Sequence, residues 1–440
     1  MSRALSRHSW AAAPLVALVA LVAILTPGLA LAEDTIDTGD TAWMLTSSLL
    51  VLMMTLPGLA LFYGGLVRVK NILSVLMQCL ISAGLMGVLW VIAGYSLAFG
   101  EGSGATAPFI GDFSMIMLNG ITPDSVSGTI PTYVFVMFQG MFAIITPALM
   151  LGAFAERMRF SVYLAFCTIW LFVVYIPLAH MVWGGGWLGA DGAKDFAGGL
   201  VVHMSSGYSA LVACLFIGPR RGYGKEPMPP NSLPLTVIGA SLLWVGWFGF
   251  NAGSELAADG VAGLAFLTTQ TAAATATLSW VVIEWVHNGK PTVLGAATGA
   301  VAGLVAITPA CAFVGPGGAI AIGFGAALIC YFALSWLKPR FGYDDSLDVF
   351  GVHGVGGTWG ALATALFIAP WGVTEGVGYG EQIWLQVKSI VFTLVYAGVL
   401  SFVILYVLRL VMGDLRVDAE AEHEGLDLSE HQETAYGQTN

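Results

Sequence analysis

The stretch DFAGGLVVHMSSG, residues 195–207, places an acid and a histidine in a long run of apolar and small residues. His203 follows Asp195 by eight residues, which corresponds to about 12 Å along a helix at 1.5 Å per residue. Burying an ionisable side chain in such a run is costly, so a partner or a function has to compensate. The rest of the sequence indicates which of these applies.

Composition identifies the surroundings of this stretch as a membrane. Of the 440 residues, 57% are hydrophobic and only 10% are charged, whereas about a quarter of a soluble domain is charged. Glycine is abundant, with 56 residues, as is typical of closely packed membrane helices. The sequence therefore predicts an all-α polytopic membrane protein, and nothing in it suggests nucleic-acid binding.

The first 32 residues are typical of a secretory signal peptide. Two arginines precede the apolar run LVALVALVAIL at 15–25, and the A-x-A sequence at 30–32 offers a cleavage site. Cleavage after Ala32 is the favoured interpretation, and an uncleaved first transmembrane helix is the alternative. The predicted domains are the signal peptide at 1–32, the transmembrane domain at 33–412 and a cytoplasmic C-terminal tail at 413–440.

Apolar runs long enough to cross a bilayer, about 20 residues each, occur eleven times after the signal peptide. The eighth and ninth are the least sharply separated, because ITPACAFVGPGG makes a tight turn between them. The predicted spans are 43–65, 71–99, 130–154, 160–182, 197–218, 233–253, 261–286, 292–310, 314–337, 347–369 and 383–411.

Positive charges orient these spans, because Lys and Arg concentrate in cytoplasmic loops. Of the fourteen Lys and Arg residues beyond the signal peptide, twelve follow odd-numbered spans, and only Lys194 and Lys388 lie on the other side. This asymmetry predicts an outside N-terminus and a cytoplasmic C-terminus in the inner (plasma) membrane. The outer loops are acidic, either to concentrate cations there or simply for solubility.

A weak internal repeat links the opening stretch to a second one. Span five opens DFAGGLVVHMSSGYSALVA and span ten opens DVFGVHGVGGTWGALA, each with an acid, one histidine, small residues and then Ala-Leu. The two spans run in opposite directions, so spans 1–5 and 6–10 are predicted to form an inverted repeat with a site between the halves near the midplane. Chance similarity between Gly/Ala-rich helices is the alternative.

His203 and His353 are the candidate residues for the centre of a pore. Ionisable residues inside membrane spans generally face the bundle interior and mark pathways. A satisfied structural histidine is the alternative for either one alone, but two at matched positions favour function. Two imidazoles are too few for a metal, which takes three or four ligands, and no cofactor is predicted. They suit a small polar neutral molecule, because neutral imidazole has one donor and one acceptor nitrogen.

Aromatic and polar side chains near the outer boundary form a candidate cation site. Trp183 precedes three glycines that expose its ring, and Trp183, Phe142 and Trp247 are suited to hold a cation over their faces. A membrane-interface tryptophan is the alternative for Trp183. Ser254 lies one helical turn from Phe250, so Ser254 is placed to hydrogen-bond a cation and Phe250 to close the way below it.

Two acids near predicted helix starts complete the set of candidate residues. Asp195 is placed to cap a helix by accepting its first N–H groups, and an anion near the outer mouth would also stabilise a cation there. Asp348, at the cytoplasmic start of span ten, is interpreted as a cap or tether.

Six motifs, in order, resemble those of the ammonium transporter family (Amt/Rh type), and its bacterial branch in particular. They are FVMFQGMFA, GAFAERMRF, YIPLAHMVWGGG, DFAGGLVVHMSSG, GWFGFNAGSE and DVFGVHGVGGTWGA. The resemblance covers essentially the whole mature chain and implies a homotrimer with one pore per subunit. The residues it implies are Trp183, Phe142 and Ser254 for the outer ammonium site, Phe142 and Phe250 for a stacked gate, and His203 and His353 for a twin-histidine pair.

The same resemblance carries three further implications. Asp195 matches a carboxylate that supports the outer site without touching the substrate. The tail at 413–440 is like a segment that clasps neighbouring subunits. In bacteria, a trimeric signalling protein of the PII class often plugs the cytoplasmic mouth of such proteins.

The expected function is ammonium transport for nitrogen uptake, and not enzymatic catalysis. NH4+ is recruited outside, loses a proton and crosses as NH3 to the histidines, because a bare cation at the bilayer centre is very costly. An ammonium sensor with the same site and little flux is the alternative. A hydrolase is disfavoured: Ser205 and Ser206 adjoin His203, but the chain has no nucleophile elbow or H-E-x-x-H motif.

Overall fold

The computed structural model describes residues 36–437 as a succession of helices with one short β-hairpin. The predicted signal peptide at 1–32 lies outside the described residues. Eleven of the helices overlap the eleven predicted spans in order. They are α1 (Thr38–Leu66), α2 (Val69–Phe99), α3 (Thr132–Phe154), α4 (Phe160–Ala190), α5 (Gly199–Ile217), α6 (Leu233–Glu255), α7 (Gly260–Asn288), α8 (Val293–Ile307), α9 (Pro316–Phe341), α10 (350–366) and α11 (Tyr379–Met412). The hairpin pairs β1 (Val126–Ser127) with β2 (Ile130–Pro131).

Within residues 36–437, nine of these helices have the length and hydropathy needed to cross a membrane. The other two are shorter: α8 has 15 residues, and α10 joins a six-residue piece to an eleven-residue piece. The prediction of a multi-pass helical membrane protein is confirmed, whereas the count of eleven crossings stays a prediction.

Helix boundaries depart from the predicted spans where polar side chains or special backbone angles set them. α1 begins at Thr38 instead of 43, because the Asp37 carboxylate accepts the N–H groups of Gly39 and Asp40 at 2.8 and 2.9 Å. α10 begins at 350 instead of 347, because Asp348 adopts a left-handed backbone conformation, with φ of 62°. Hydropathy alone carries no information on either feature.

The connections between helices gather at two ends of the bundle. The connections that follow odd-numbered helices lie at one end of the bundle, where ion pairs join several of them. Those that follow even-numbered helices meet at the other, where the N–H of Phe196 donates to Pro309 O (3.2 Å) and the N–H of Lys194 donates to Gln386 Oε1 (3.0 Å). Successive helices therefore run in opposite directions. Which end faces the cytoplasm stays a prediction from the positive charges.

Buried ionic contacts tie the odd-numbered connections together. Arg220 donates through Nε and Nη2 to the Asp344 carboxylate at 2.9 and 2.8 Å and lies 3.4 Å from Glu156, which also pairs with Arg68. Burial opposes ionisation of Asp344, but Arg220 holds the pKa of its carboxyl below the ordinary value. Arg157 is fully buried and donates to backbone carbonyl groups of the same connections.

The segment after α11 folds back onto this end of the bundle. It forms α12 (Ala419–Glu424) and α13 (Leu426–His431). The carboxylate of Asp427 accepts the N–H of Ser74 at 2.8 Å, and the side chain of Asn71 accepts the first N–H of α13 at 2.9 Å. The predicted tail is thus packed against the start of α2 within the same chain.

We expect Arg220→Met to lower the free energy of unfolding by about 3 kcal/mol, because it leaves the buried Asp344 without its paired cation and removes one of the two arginines that pair with Glu156. Thermal unfolding of the purified protein in detergent measures this as a lower midpoint. Lys290→Met removes an exposed cation from the α7–α8 connection and is the matched control. Equal midpoints for the two variants would contradict the stabilising role of Arg220.

Candidate functional site

His203 and His353 meet in the middle of the bundle. Their Nδ1 atoms are 3.1 Å apart, their ring centroids are 5.2 Å apart, and both side chains are buried. Within residues 36–437, Nε2 of His203 has no hydrogen-bond partner. Because one Nδ1 has to donate and the other to accept, one far nitrogen is an acceptor and the other a donor. The pair therefore offers a small molecule one hydrogen-bond donor and one hydrogen-bond acceptor.

Each histidine lies in a π-helical turn at the start of its helix. His203 belongs to the turn Gly199–Met204 and His353 to the turn Phe350–Val355. π-Helical turns are rare and are frequently found at functional sites. The two backbones approach so closely that a Cβ on Gly207 would overlap the backbone of Gly354. Glycine at 207 therefore allows the close approach of the two helices that carry the imidazoles.

A narrow apolar space surrounds the two imidazoles. Trp247 stacks on His203 with ring centroids 5.5 Å apart, and Trp247 Nε1 donates to the hydroxyl of Thr308 at 2.9 Å. The free space around the rings is only about 10 Å³, roughly the room that one water molecule needs. A hydrated ion does not fit there.

Phe142 and Phe250 lie together next to this space. Their ring centroids are 4.4 Å apart, and both side chains are buried. Phe250 is also 5.9 Å from the ring of His203, and Phe142 makes an edge contact with Trp183 at 6.0 Å. The two phenyl rings therefore separate Trp183 from the histidines.

An outer cavity of about 360 Å³ lies on the far side of these rings. Three sequence-predicted residues line it: Phe142, Trp183 and Ser254. The hydroxyl of Ser254 donates to the carbonyl of Phe250 at 2.8 Å, which leaves its oxygen free to accept. The side chains that the sequence analysis did not predict to line this cavity are Phe99, Phe135, Gln139, Val182, Phe196 and Leu256.

Gln139 is the most informative of the missed residues. It lies one helical turn before Phe142 in the motif FVMFQGMFA, and residues three apart share a helix face. This spacing from Phe142 is the signal in the sequence that could have identified Gln139 as a cavity residue. Its amide adds a polar group to a cavity that is otherwise mostly aromatic and aliphatic.

Asp195 acts on the outer cavity without lining it. Its carboxylate accepts four backbone N–H groups at the start of α5, at 2.5 to 3.1 Å. Its backbone carbonyl accepts Nε1–H of Trp183 at 2.8 Å. The side chain is buried and is therefore a helix cap that also anchors the indole through the adjacent backbone.

An inner cavity of about 170 Å³ lies on the other side of the histidines, lined by His353, Asp348 and Ser346 among others. Asp348 is not a helix cap. Its carboxylate pairs with Lys338 at 2.6 Å, and the N–H of Phe350 is instead accepted by Asp345 at 2.7 Å. The interpretation of Asp348 as a cap is therefore wrong, because its left-handed backbone turns it away from the helix start, whereas a tether describes its ion pair.

The chain is similar to a known protein family over most of its length. Residues 42–436 match the model of the Ammonium Transporter Family. The chain is 48% identical over 406 residues to an "Ammonium transporter" of Bacillus subtilis (strain 168), covering 90% of this chain and 98% of that protein. It is 47% identical over 408 residues to an "Ammonium transporter" of Aquifex aeolicus, covering 92% and 95%.

Solved structures agree with these matches. Candida albicans Mep2 aligns with a TM-score of 0.81 and 36% identity, covering 88% of each chain. A structure described as "Sensor Amt Protein" aligns with a TM-score of 0.83 and 28% identity, covering 89% of this chain and 98% of the other.

We expect Asp195→Ala to lower the free energy of unfolding by about 2 kcal/mol or more, because four buried N–H groups lose their acceptor. Asp195→Asn keeps one acceptor oxygen and should fall between the wild type and Asp195→Ala. Thermal unfolding in detergent measures the order of the three midpoints. An Asp195→Ala midpoint equal to that of the wild type would refute the cap.

Proposed function

Because the chain belongs to the ammonium transporter family, we propose that it conducts ammonium along a route through the outer cavity, past Phe142 and Phe250, to His203 and His353. One observation carries the proposal: two buried imidazoles touch each other directly beyond a pair of close phenyl rings. A polar pair in an apolar passage of this width suits a small neutral molecule with a lone pair and hydrogens to share.

Recruitment of NH4+ takes place in the outer cavity. The faces of Trp183 and Phe142 attract a cation through their ring quadrupoles, a contribution of about 0.5 to 2 kcal/mol. Ser254 accepts one hydrogen bond from the ion, since its own proton is donated to the carbonyl of Phe250. These contacts replace part of the water that the ion loses as it enters.

Deprotonation follows at the phenyl rings, where NH4+ gives one proton to water in the outer cavity and remains as NH3. A bare cation at the bilayer centre is very costly, and the space beyond Phe142 and Phe250 is about 10 Å³ and largely apolar. NH3 crosses this space, and His203 and His353 offer it an acceptor and a donor nitrogen. On the inner side NH3 takes up one proton from water. Transfer of the released outer proton along the histidines, separate from NH3, is part of the proposal.

Selection against K+ follows from the same chemistry. K+ is similar in size to NH4+, but it has no proton to donate to Ser254 and none to lose before the narrow space. The proposed filter therefore discriminates by hydrogen bonding and acidity and not by diameter. Trp247 contributes as an aromatic wall that holds His203 by stacking.

The proposed setting is a homotrimer in the bacterial inner membrane, with the signal peptide cleaved after Ala32 and the C-terminal tail in the cytoplasm. Large apolar side chains on α7 are exposed in the single chain, among them Phe266 and Trp285, and are available to lipid or to a neighbouring subunit. A PII-class signalling protein is the proposed cytoplasmic partner, and it would act at the inner cavity.

An ammonium sensor is the second candidate function. The structural similarity to a protein described as "Sensor Amt Protein" favours it. A sensor with this site would bind ammonium in the outer cavity with little flux through the histidines. The rate of ammonium movement per protein distinguishes the two functions.

The proposal is tested by ammonium uptake into proteoliposomes, followed by a pH indicator in the lumen, with empty liposomes as the blank. We expect flux above the blank for the wild type and loss of selective flux for the double variant His203→Ala, His353→Ala. Lys290→Met serves as the folded control. Full selective uptake by the double variant would refute the role of the pair, and binding without flux in the wild type would favour a sensor.

We expect Trp183→Leu to raise the half-saturating ammonium concentration about tenfold, because it removes a desolvated cation–π contact. The maximal rate should change less, since the histidines are untouched. Uptake measured over a range of ammonium concentrations separates the two parameters. An unchanged half-saturating concentration would contradict the recruitment of NH4+ by Trp183.

A further inference from the structure

Contacts between α5 and α10 recur at a constant sequence offset. Nδ1 of His203 contacts Nδ1 of His353, and the hydroxyl of Tyr208 contacts that of Thr358 at 2.9 Å; each pair is 150 residues apart. The same offset leads from Asp195 to Asp345. Asp345 precedes His353 by eight residues, as Asp195 precedes His203. Asp345 is therefore the counterpart of Asp195, and Asp348 is not.

Asp345 occupies the start of α10 in the way that Asp195 occupies the start of α5. Its side chain is fully buried, and its Oδ2 accepts the N–H of Phe350 at 2.7 Å. Phe350 is the first residue of the π-helical turn that carries His353. A helix that starts away from water has N–H groups in need of an acceptor, so the position of a buried carboxylate determines where the helix begins.

The neighbours of Asp345 leave its carboxylate free to accept the N–H of Phe350. Lys338 Nζ donates to the backbone carbonyl of Asp345 at 2.7 Å and to the carboxylate of Asp348 at 2.6 Å. Within residues 36–437, Oδ1 of Asp345 has no hydrogen-bond partner. Burial raises the pKa of Asp345 to about 6, against the opposing effect of Lys338. A protonated carboxyl keeps an acceptor oxygen, so the cap does not depend on the charge.

We propose that Asp345 is the positioning residue for His353: by accepting the N–H of Phe350 it sets the rotation and height of the π-helical turn and keeps the imidazole against His203. This inference rests on the proposed function, since the contact matters only if the pair handles the substrate. A displacement of about 1 Å at a reacting group can cost about 100-fold in rate. This positioning requires an acceptor atom at the place of Asp345 Oδ2, and it does not require a negative charge.

The test compares Asp345→Ala, Asp345→Asn and Asp259→Ala with the wild type. Asp259 caps α7 by accepting the N–H groups of Val261 and Ala262 at 2.9 and 3.0 Å, so its alanine variant is a matched loss of a carboxylate cap away from the histidines. Ammonium flux into proteoliposomes and the thermal midpoint in detergent are measured for each full-length protein. The flux tests whether Asp345 positions His353, and the thermal midpoint tests whether Asp345 only stabilises the fold.

Asp345→Ala is expected to lower the flux by about tenfold or more, whereas Asp345→Asn keeps most of it, because the amide oxygen accepts the same N–H. Asp259→Ala is expected to keep wild-type flux even where its midpoint falls. Wild-type flux in Asp345→Ala, or equal loss in both Asp345 variants, overturns the inference. If Asp345→Ala does not fold, Asp345→Asn decides alone, and loss of its flux overturns the inference. Absence of flux in the wild type would instead overturn the proposed function, and this inference with it.

Discussion

The contact between Nδ1 of His203 and Nδ1 of His353 is the constraint on which the rest of the structure depends. Two imidazoles 3.1 Å apart in an apolar interior require two helix backbones to meet, which glycine at 207 permits. They also require both helices to start inside the bundle, where water does not satisfy the first N–H groups. A buried carboxylate at each start, Asp195 and Asp345, provides the missing acceptor.

The cavities on either side of this contact give the proposed route its chemical order. A roomy outer cavity of about 360 Å³ leads to about 10 Å³ around the rings and then to an inner cavity of about 170 Å³. Such a sequence favours a cation with some water outside and a small neutral molecule between the phenyl rings and the histidines. Aromatic faces, one hydroxyl and two imidazoles are the groups proposed to set this order. Among the residues that the structure describes, no charged side chain lines the narrow part.

Much of this arrangement was predictable from the sequence, and the exceptions have physical causes. Hydropathy predicted segments that overlap eleven helices, and within residues 36–437 nine of these helices are long and apolar enough to cross a membrane. The matched histidines in spans five and ten predicted the pair. Hydropathy does not register caps, so the Asp37 cap and the start of α1 at Thr38 were not predicted. The resemblance between DFAGG and DVFGV drew attention to Asp348, whereas the constant spacing of eight residues to the histidine identifies Asp345. From the sequence, Arg157 counted only as a positive charge of a loop. Three of its five hydrogen bonds reach distant connections, at Gly218, Ser346 and Asp344, and hydropathy does not predict such contacts.

We propose that ammonium crosses because it can give up a proton, and that K+ does not cross because it cannot. The most direct test measures ammonium and potassium uptake in the same proteoliposomes under the same inside-negative potential, with ion-specific indicators in the lumen and empty vesicles as the blank. We expect saturable ammonium uptake above the blank and potassium uptake equal to the blank. Potassium uptake that rises with ammonium uptake as protein is added would contradict it.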